Sequence, residues 1–242
     1  INRELRAFDY TDFIMFPVPE AKEAYTNGNK AYTECFARNN SKFFYVPTAI
    51  EKEYSSFNEG LLDKKVASAS SFRVCYIGRH NYIKGYDTLL IIARKVWERN
   101  PDVEFVIGGK EGPLFGIKDK RWHEMGWVST YNLLTEVDVF ILPNKETYYD
   151  LILLEVLRSG IPVILTDTGG SKWFKQYPGF GLFFYEYGDN DVAANHILVL
   201  SQMKASGSLL DYGRNNKQLF LNTSVFDKYI ALYIHEITKR LM

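Results

Sequence analysis

Two cations stand five residues apart in the run Gly78-Arg79-His80-Asn81-Tyr82-Ile83-Lys84-Gly85. Arginine offers a planar fork and lysine a compact point charge, and together they suit a diphosphate. The flanking glycines permit close approach of backbone or ligand. Further along stands Glu146-Thr147-Tyr148-Tyr149-Asp150-Leu151, with Glu155 one helical turn later. Glu155 lies between Leu154 and Val156, where a carboxylate is costly unless it is paired or holds a ligand. Its oxygens only accept hydrogen bonds, which suits ribose hydroxyls. The chemistry these residues could do together is recognition of a nucleoside diphosphate sugar.

Each residue also has a plainer reading. Arg79 and Lys84 could be solvated loop cations, and Glu155 could form a salt bridge to Arg158 or to a neighbouring helix. Asp150 suits a helix N-cap, where it would compete with a phosphate, so it counts against the site. Lys145, Tyr148 and Tyr149 flank that helix start, and tyrosines there more often pack than bind. Gly108-Gly109 and the Gly169-Gly170 loop read equally well as tight turns or as ligand loops. His80 sits in the cation loop, within reach of a ligand. His123, His196 and His235 fall on helices or their edges. No histidine or cysteine pattern has metal-ligand spacing, so no metal is expected, and no nucleophile-base-acid ordering stands out.

The elements that must position these residues follow from periodicity. Phe72–Ile77 reads as a buried strand and Tyr86–Arg99 as a helix, which places the cations in a strand-to-helix loop. In an open α/β sheet, ligands bind beyond such carboxyl ends. Strands at 103–107, 137–142, 161–166 and 181–184 alternate with helices at 129–136, 150–159, 171–176, 189–203 and 208–221. Ser129 is a cap candidate, and Ser224-Val225-Phe226-Asp227 reads as a capping box for a last helix. This alternation predicts an α/β fold, a parallel sheet with helices on both faces. Upstream, the chain reads strand at 12–17, helix from Pro19 and strand at 42–47. Residues 51–71 are polar and aperiodic, the best linker.

Composition sets the remaining bounds. With 29 Lys+Arg against 29 Asp+Glu in 242 residues, no overall charge draws the chain to nucleic acid or an acidic membrane. A hydrophobic content of 46% allows a substantial core. Cys35 and Cys75 form no disulfide framework and fit a reduced, cytoplasmic setting. No apolar run is long enough to span a bilayer, and no signal peptide is visible. The chain opens on Ile1 within a folded pattern, so it reads as part of a longer protein.

Gly78 to Gly85 resembles the Gly-Arg-x-x-x-x-Lys-Gly loop of retaining glycosyltransferases with the two-domain GT-B fold, the family 4 group. Gly126-Trp127-Val128 is similar to that family's Gly-x-Val segment near the nucleotide base. Leu151 to Glu155, Gly160-Ile161-Pro162-Val163-Ile164 and Gly169-Gly170 resemble its Leu-x-x-x-Glu-Ala, Gly-x-Pro-Val and Gly-Gly run. Each motif alone is weak, and their joint order is specific. The resemblance implies a Rossmann-like GT-B C-terminal domain over 72–222, after a remnant of the acceptor domain at 1–47 and a linker at 48–71. A helix at 223–242 would cross back.

The resemblance also implies roles. Arg79 and Lys84 would neutralise the donor diphosphate as it leaves. Glu155 would hold the ribose as second glutamate of a Glu-x7-Glu motif. Gly78, Glu146, Thr147, Tyr148, Tyr149, Asp150, Leu151, Trp127 and Val128 would line the donor. Three positions depart from the motif: Thr147 stands for its first glutamate, with Glu146 one residue early, and Tyr148 and Asp150 stand for glycines. The implied donor is a UDP or GDP sugar, without a further cofactor. The acceptor would be a carbohydrate or lipid-linked molecule met through the rest of the first domain, which would also carry any peripheral membrane contact. This part alone would be inactive. Rival readings are a non-catalytic nucleotide-binding or interaction module of the same fold, and a sugar-nucleotide epimerase. A dinucleotide oxidoreductase lacks its Gly-x-Gly-x-x-Gly opening.

Overall fold

The computed structural model describes residues 2–52, 71–110 and 112–241. Most of the expected linker, residues 53–70, lies outside the described residues.

The N-terminal part runs α1 (Asn2–Tyr10), β1 (Ile14–Phe16), a 3-10 turn (Pro19–Lys22), α2 (Glu23–Thr26), α3 (Lys30–Arg38) and β2 (Phe43–Tyr45). β1 and β2 pair in parallel, Ile14 against Phe43. Ile14, Phe16, Val18, Ala21, Tyr32, Cys35 and Phe36 form their own apolar cluster. The sequence pattern missed α1, and it missed the break in which Asn27 turns extended to end α2, Gly28 takes a φ of 69° and Asn29 caps α3.

Asp9, on α1, ties that helix to α3. Arg38 donates to its two oxygens at 2.8 and 2.7 Å, and Asn39 donates at 2.8 Å. These bonds, the Arg38 pair foremost, hold the Asp9 carboxyl well below the usual carboxylate range. A depressed folded pKa favours the ionised form in the fold. The resulting stability is complete above the unfolded value of roughly 4, and is lost as pH falls towards the folded value. Asp9→Asn should therefore melt earlier than wild type at neutral pH. Melting curves recorded down to about pH 2 should show the gap narrowing; a constant gap would count against this role.

The second part is one six-stranded sheet: β3 (Phe72–Ile77), β4 (Val103–Gly108), β5 (Trp122–Gly126), β6 (Val139–Leu142), β7 (Val163–Thr166) and β8 (Leu182–Tyr185). The order is β5-β4-β3-β6-β7-β8, and every pair is parallel. Side chains alternate between the sheet's faces. Val74, Tyr76, Phe105, Ile107, Val139, Ile141 and Ile164 pack on one face with α4 (Tyr86–Arg99) and α7 (Asn190–Ser206). Cys75, Val106, Phe140, Leu142, Val163 and Leu165 pack on the other with α5 (Thr130–Leu134), α6 (Leu151–Arg158) and α8 (Leu209–Thr223). The expected α/β architecture, helices on both faces, is the observed one. Each fully buried Leu or Ile contributes roughly 1.5–3 kcal/mol to such a core.

Strand β5 was not foreseen. Its Trp-His-Glu-Met-Gly sequence lacks an apolar run, and as an edge strand it buries only Trp122 well. Two expected caps are absent. Ser129 precedes α5 without a side-chain cap bond. The last helix, α9 (Phe226–Leu241), begins after Ser224, because Ser224 closes α8 and its backbone pairs with that of Ile50. Ile50 N–H donates to the Ser224 carbonyl at 3.0 Å, and Phe226 N–H donates to that of Ile50 at 2.9 Å.

Candidate functional site

β3 and β6 are neighbours in the sheet, although β4 and β5 separate them in sequence. The chain winds one way from β3 and the other way from β6, so the crevice between their carboxyl ends is a topological switch point. Two loops meet there, residues 78–85 after β3 and residues 143–150 after β6.

The first loop is held from beneath. Tyr76 is buried, and its hydroxyl donates to the Arg79 carbonyl at 2.8 Å. A Cβ on Gly78 would lie 2.8 Å from that hydroxyl oxygen, so glycine keeps this approach open. His80 is fully buried and stacks on Tyr86, ring centroids 4.0 Å apart. Its Nε2 lies 3.9 Å from Glu124, whose other oxygen accepts bonds from Tyr86 (2.7 Å) and Trp122 (2.6 Å). The expectation that His80 reaches a ligand is therefore corrected: its ring anchors the loop in the core. Arg79, next to it, is exposed.

The two loops are stitched through backbone. Lys145 and Glu146 N–H groups both donate to the Ile83 carbonyl, at 3.0 and 3.4 Å. Gly85 takes a left-handed φ of 65°, and a Cβ there would fall 1.7 Å from the Pro143 carbonyl oxygen. This contact aims Lys84 at the start of α6. Its Nζ lies 2.5 Å from Asp150 Oδ1, the two side chains 24% and 13% exposed. Asn144, almost fully buried, donates its amide to the other Asp150 oxygen. Asp150 stands at the N-cap position, yet its side chain makes no cap bond. The expected helix cap is corrected: the carboxylate is taken by Lys84 and Asn144 instead.

The other candidates divide. Thr147 is buried, and its carbonyl fits against Gly169, where a Cβ would come within 1.9 Å. A Cβ on Gly170 would come within 2.0 Å of the Tyr148 carbonyl. Gly169-Gly170 thus lets two loops touch, the tight-turn reading. Glu146 is half-buried and Leu151 half-exposed beside the crevice. Tyr148 meets Tyr25 of the N-terminal part, rings 4.7 Å apart. Burial, with Tyr148 and Glu4 nearby, pushes the Tyr25 phenol up to about 12. Tyr149 is packing: it stacks on Phe174 at 6.0 Å, and burial raises its phenol.

Trp127 and Val128 follow β5, two strands from β3 on the same edge of the sheet. Trp127 is 84% exposed, whereas Val128 packs over Gly108. Glu155 lies one turn into α6 and lines a cleft of about 390 Å³ with Ala49, Ile50, Glu51, Arg158 and Phe226. At 1.5 Å per residue, Glu155 sits about 7.5 Å along the helix axis from Asp150. Of the described residues lining that cleft, none comes from the loops at 78–85 or 143–150.

The family described as glycosyl transferases group 1 matches residues 71–202, more than half of the chain. The chain belongs to that family. Among curated relatives, it is 26% identical over 216 residues to the UDP-Gal:alpha-D-GlcNAc-diphosphoundecaprenol alpha-1,3-galactosyltransferase of Escherichia coli, covering 82% of this chain and 56% of that protein. It is 24% identical over 137 residues to the putative glycosyltransferase EpsF of Bacillus subtilis, covering 51% and 35%. It therefore spans only about a third to just over half of these relatives. Among solved structures, HepE of Anabaena in complex with UDP-glucose superposes with a TM-score of 0.74 at 14% identity, over 98% of this chain and 68% of that one. Sucrose-phosphate synthase of Thermosynechococcus elongatus gives 0.74 at 17%, over 98% and 60%. The fold is that of GT-B glycosyltransferases.

In this glycosyl transferases group 1 chain, the sequence reading missed two supports of the crevice. Asn144 carried only the weak signal of Pro143-Asn144 at a strand end. Glu124 was hidden because β5 was not foreseen. Among the described residues, no helix is long and apolar enough to cross a membrane.

Proposed function

We propose that residues 72–222 are the donor-binding half of a retaining glycosyltransferase, with residues 1–47 the end of its acceptor domain, 48–71 a linker and 223–242 the helix that crosses back. The observation that carries the reading is the meeting of two sequence-distant loops at the switch point, with Lys84 aimed at the first turn of α6. The donor is a UDP or GDP sugar. Its diphosphate lies at Arg79 and Lys84, its ribose at Glu155, and its base towards Trp127 and Val128. Stabilising the departing diphosphate is the main catalytic contribution, an electrostatic one. The acceptor is a carbohydrate or lipid-linked molecule bound largely outside this chain, as in polysaccharide assembly.

Glu155→Gln tests the ribose assignment. The exchange keeps shape and turns one acceptor oxygen into a donor. Affinity for UDP or GDP should fall by roughly 1 kcal/mol, while affinity for inorganic pyrophosphate stays the same. If Glu155 serves only the fold, the variant melts much earlier and both ligands suffer alike. That result would take Glu155 out of the site.

A further inference from the structure

Lys84 and Asp150 raise a problem that the donor reading alone does not answer. The cation assigned to the diphosphate is already neutralised, at 2.5 Å, by a carboxylate that is itself largely shielded. Asp150 is also fixed from its other side. Asn144, 1% exposed, donates to its second oxygen. The Asn144 backbone is in turn pinned, its carbonyl accepting from the Thr166 hydroxyl at 2.7 Å. Asp150 is therefore not a mobile surface acid that would swing away when an anion arrives. The position has also been given a charge where the resembled motif has a glycine.

We propose that Asp150 is a specificity-determining residue, one that makes the site discriminate between the sugar-nucleotide donor and the nucleoside diphosphate left after transfer. The inference rests on the donor reading above. Binding is an exchange of ion pairs. Lys84 releases Asp150 and takes a phosphate oxygen, and Asp150 keeps Asn144 and remains a negative charge beside the ligand. Both ligands meet that repulsion, but unequally. In the donor, the terminal phosphate is a diester with a single ionisation. In the product it is a monoester, whose second ionisation falls near pH 6 and adds charge at the phosphate closest to Asp150. A like charge at short range in a partly shielded site is costly. Asp150 therefore weakens product more than donor and speeds clearance of the site after each transfer.

The experiment is calorimetry at pH 7.5 in EDTA, so that no divalent cation bridges the charges. The probes are UDP with UDP-glucose, and GDP with GDP-mannose, against wild type, Asp150→Asn and Asp150→Gly. Thermal unfolding of each variant without ligand reports whether it is folded. Asp150→Asn should bind the nucleoside diphosphate at least about tenfold tighter than wild type. The sugar nucleotide should gain less, so that the preference for donor over product drops at least about threefold. Asp150→Gly should shift in the same direction. Equal gains for both ligands would overturn the discrimination. Unchanged or weaker diphosphate binding in both folded variants, with wild type still binding, would overturn the role of Asp150 and leave the donor reading standing. Failure of every variant to bind any of the four probes would instead sink the donor reading, and the inference with it.

Discussion

Gly85→Ala is expected to lower stability by about 2–4 kcal/mol and to abolish nucleotide binding. Two costs add at this position. The backbone has a φ of 65°, which any residue with a Cβ adopts only under strain. The new methyl would also fall 1.7 Å from the Pro143 carbonyl oxygen, a group fixed by the following loop. Relief requires the two loops to part, and they are the loops that bring Lys84 to the start of α6. Gly207→Ala is the control. Gly207 has a φ of 77°, but no atom lies within 4 Å of its built Cβ. It should lose only the conformational part, about 1 kcal/mol. Melting temperatures compare the two, and Gly85→Ala should fall roughly 5–15 °C. Equal losses at both positions would mean that the Pro143 contact contributes nothing.

Lys84→Ala should weaken binding of UDP or GDP by about 2–3 kcal/mol, and Arg79→Ala by about 1 kcal/mol. Burial sets the order. Lys84 is partly shielded, so its charge-assisted bond acts at a lower effective dielectric, whereas Arg79 is exposed and screened by solvent. Removing Lys84 also leaves Asp150 facing the phosphates uncompensated, which adds repulsion to the lost attraction. Every 1.4 kcal/mol is tenfold in the dissociation constant. Titration calorimetry on the two variants should therefore separate them by about tenfold. Unchanged affinity in both, with the melting temperature intact, would make the loop a solvated surface.

The sheet and its cation loop were legible for one physical reason. Strands buried on both faces, such as Val74-Cys75-Tyr76 and Val139-Phe140-Ile141, show as continuous apolar runs bounded by glycine or proline. The loops at their ends follow at once. The edge strand at Trp122 was not legible, because one exposed face leaves no run to see. What Asp150 does was also hidden. An aspartate before an apolar run reads locally as a helix cap, and only the crossing that puts β3 beside β6 brings Lys84 to it across 66 residues of sequence. The same holds for His80, whose burial depends on Tyr86 and Glu124 meeting from two other elements. Thr147 at the expected glutamate position was plain in the sequence. Its burial against Gly169 was not, since it depends on a loop 22 residues further on.

A crystal structure with UDP or GDP bound tests the central claim most directly. The diphosphate should lie in the crevice between β3 and β6, with a terminal phosphate oxygen within hydrogen-bond distance of Lys84 Nζ and the ribose hydroxyls on Glu155. A nucleotide seated away from both residues, with the Lys84–Asp150 pair undisturbed, would contradict it.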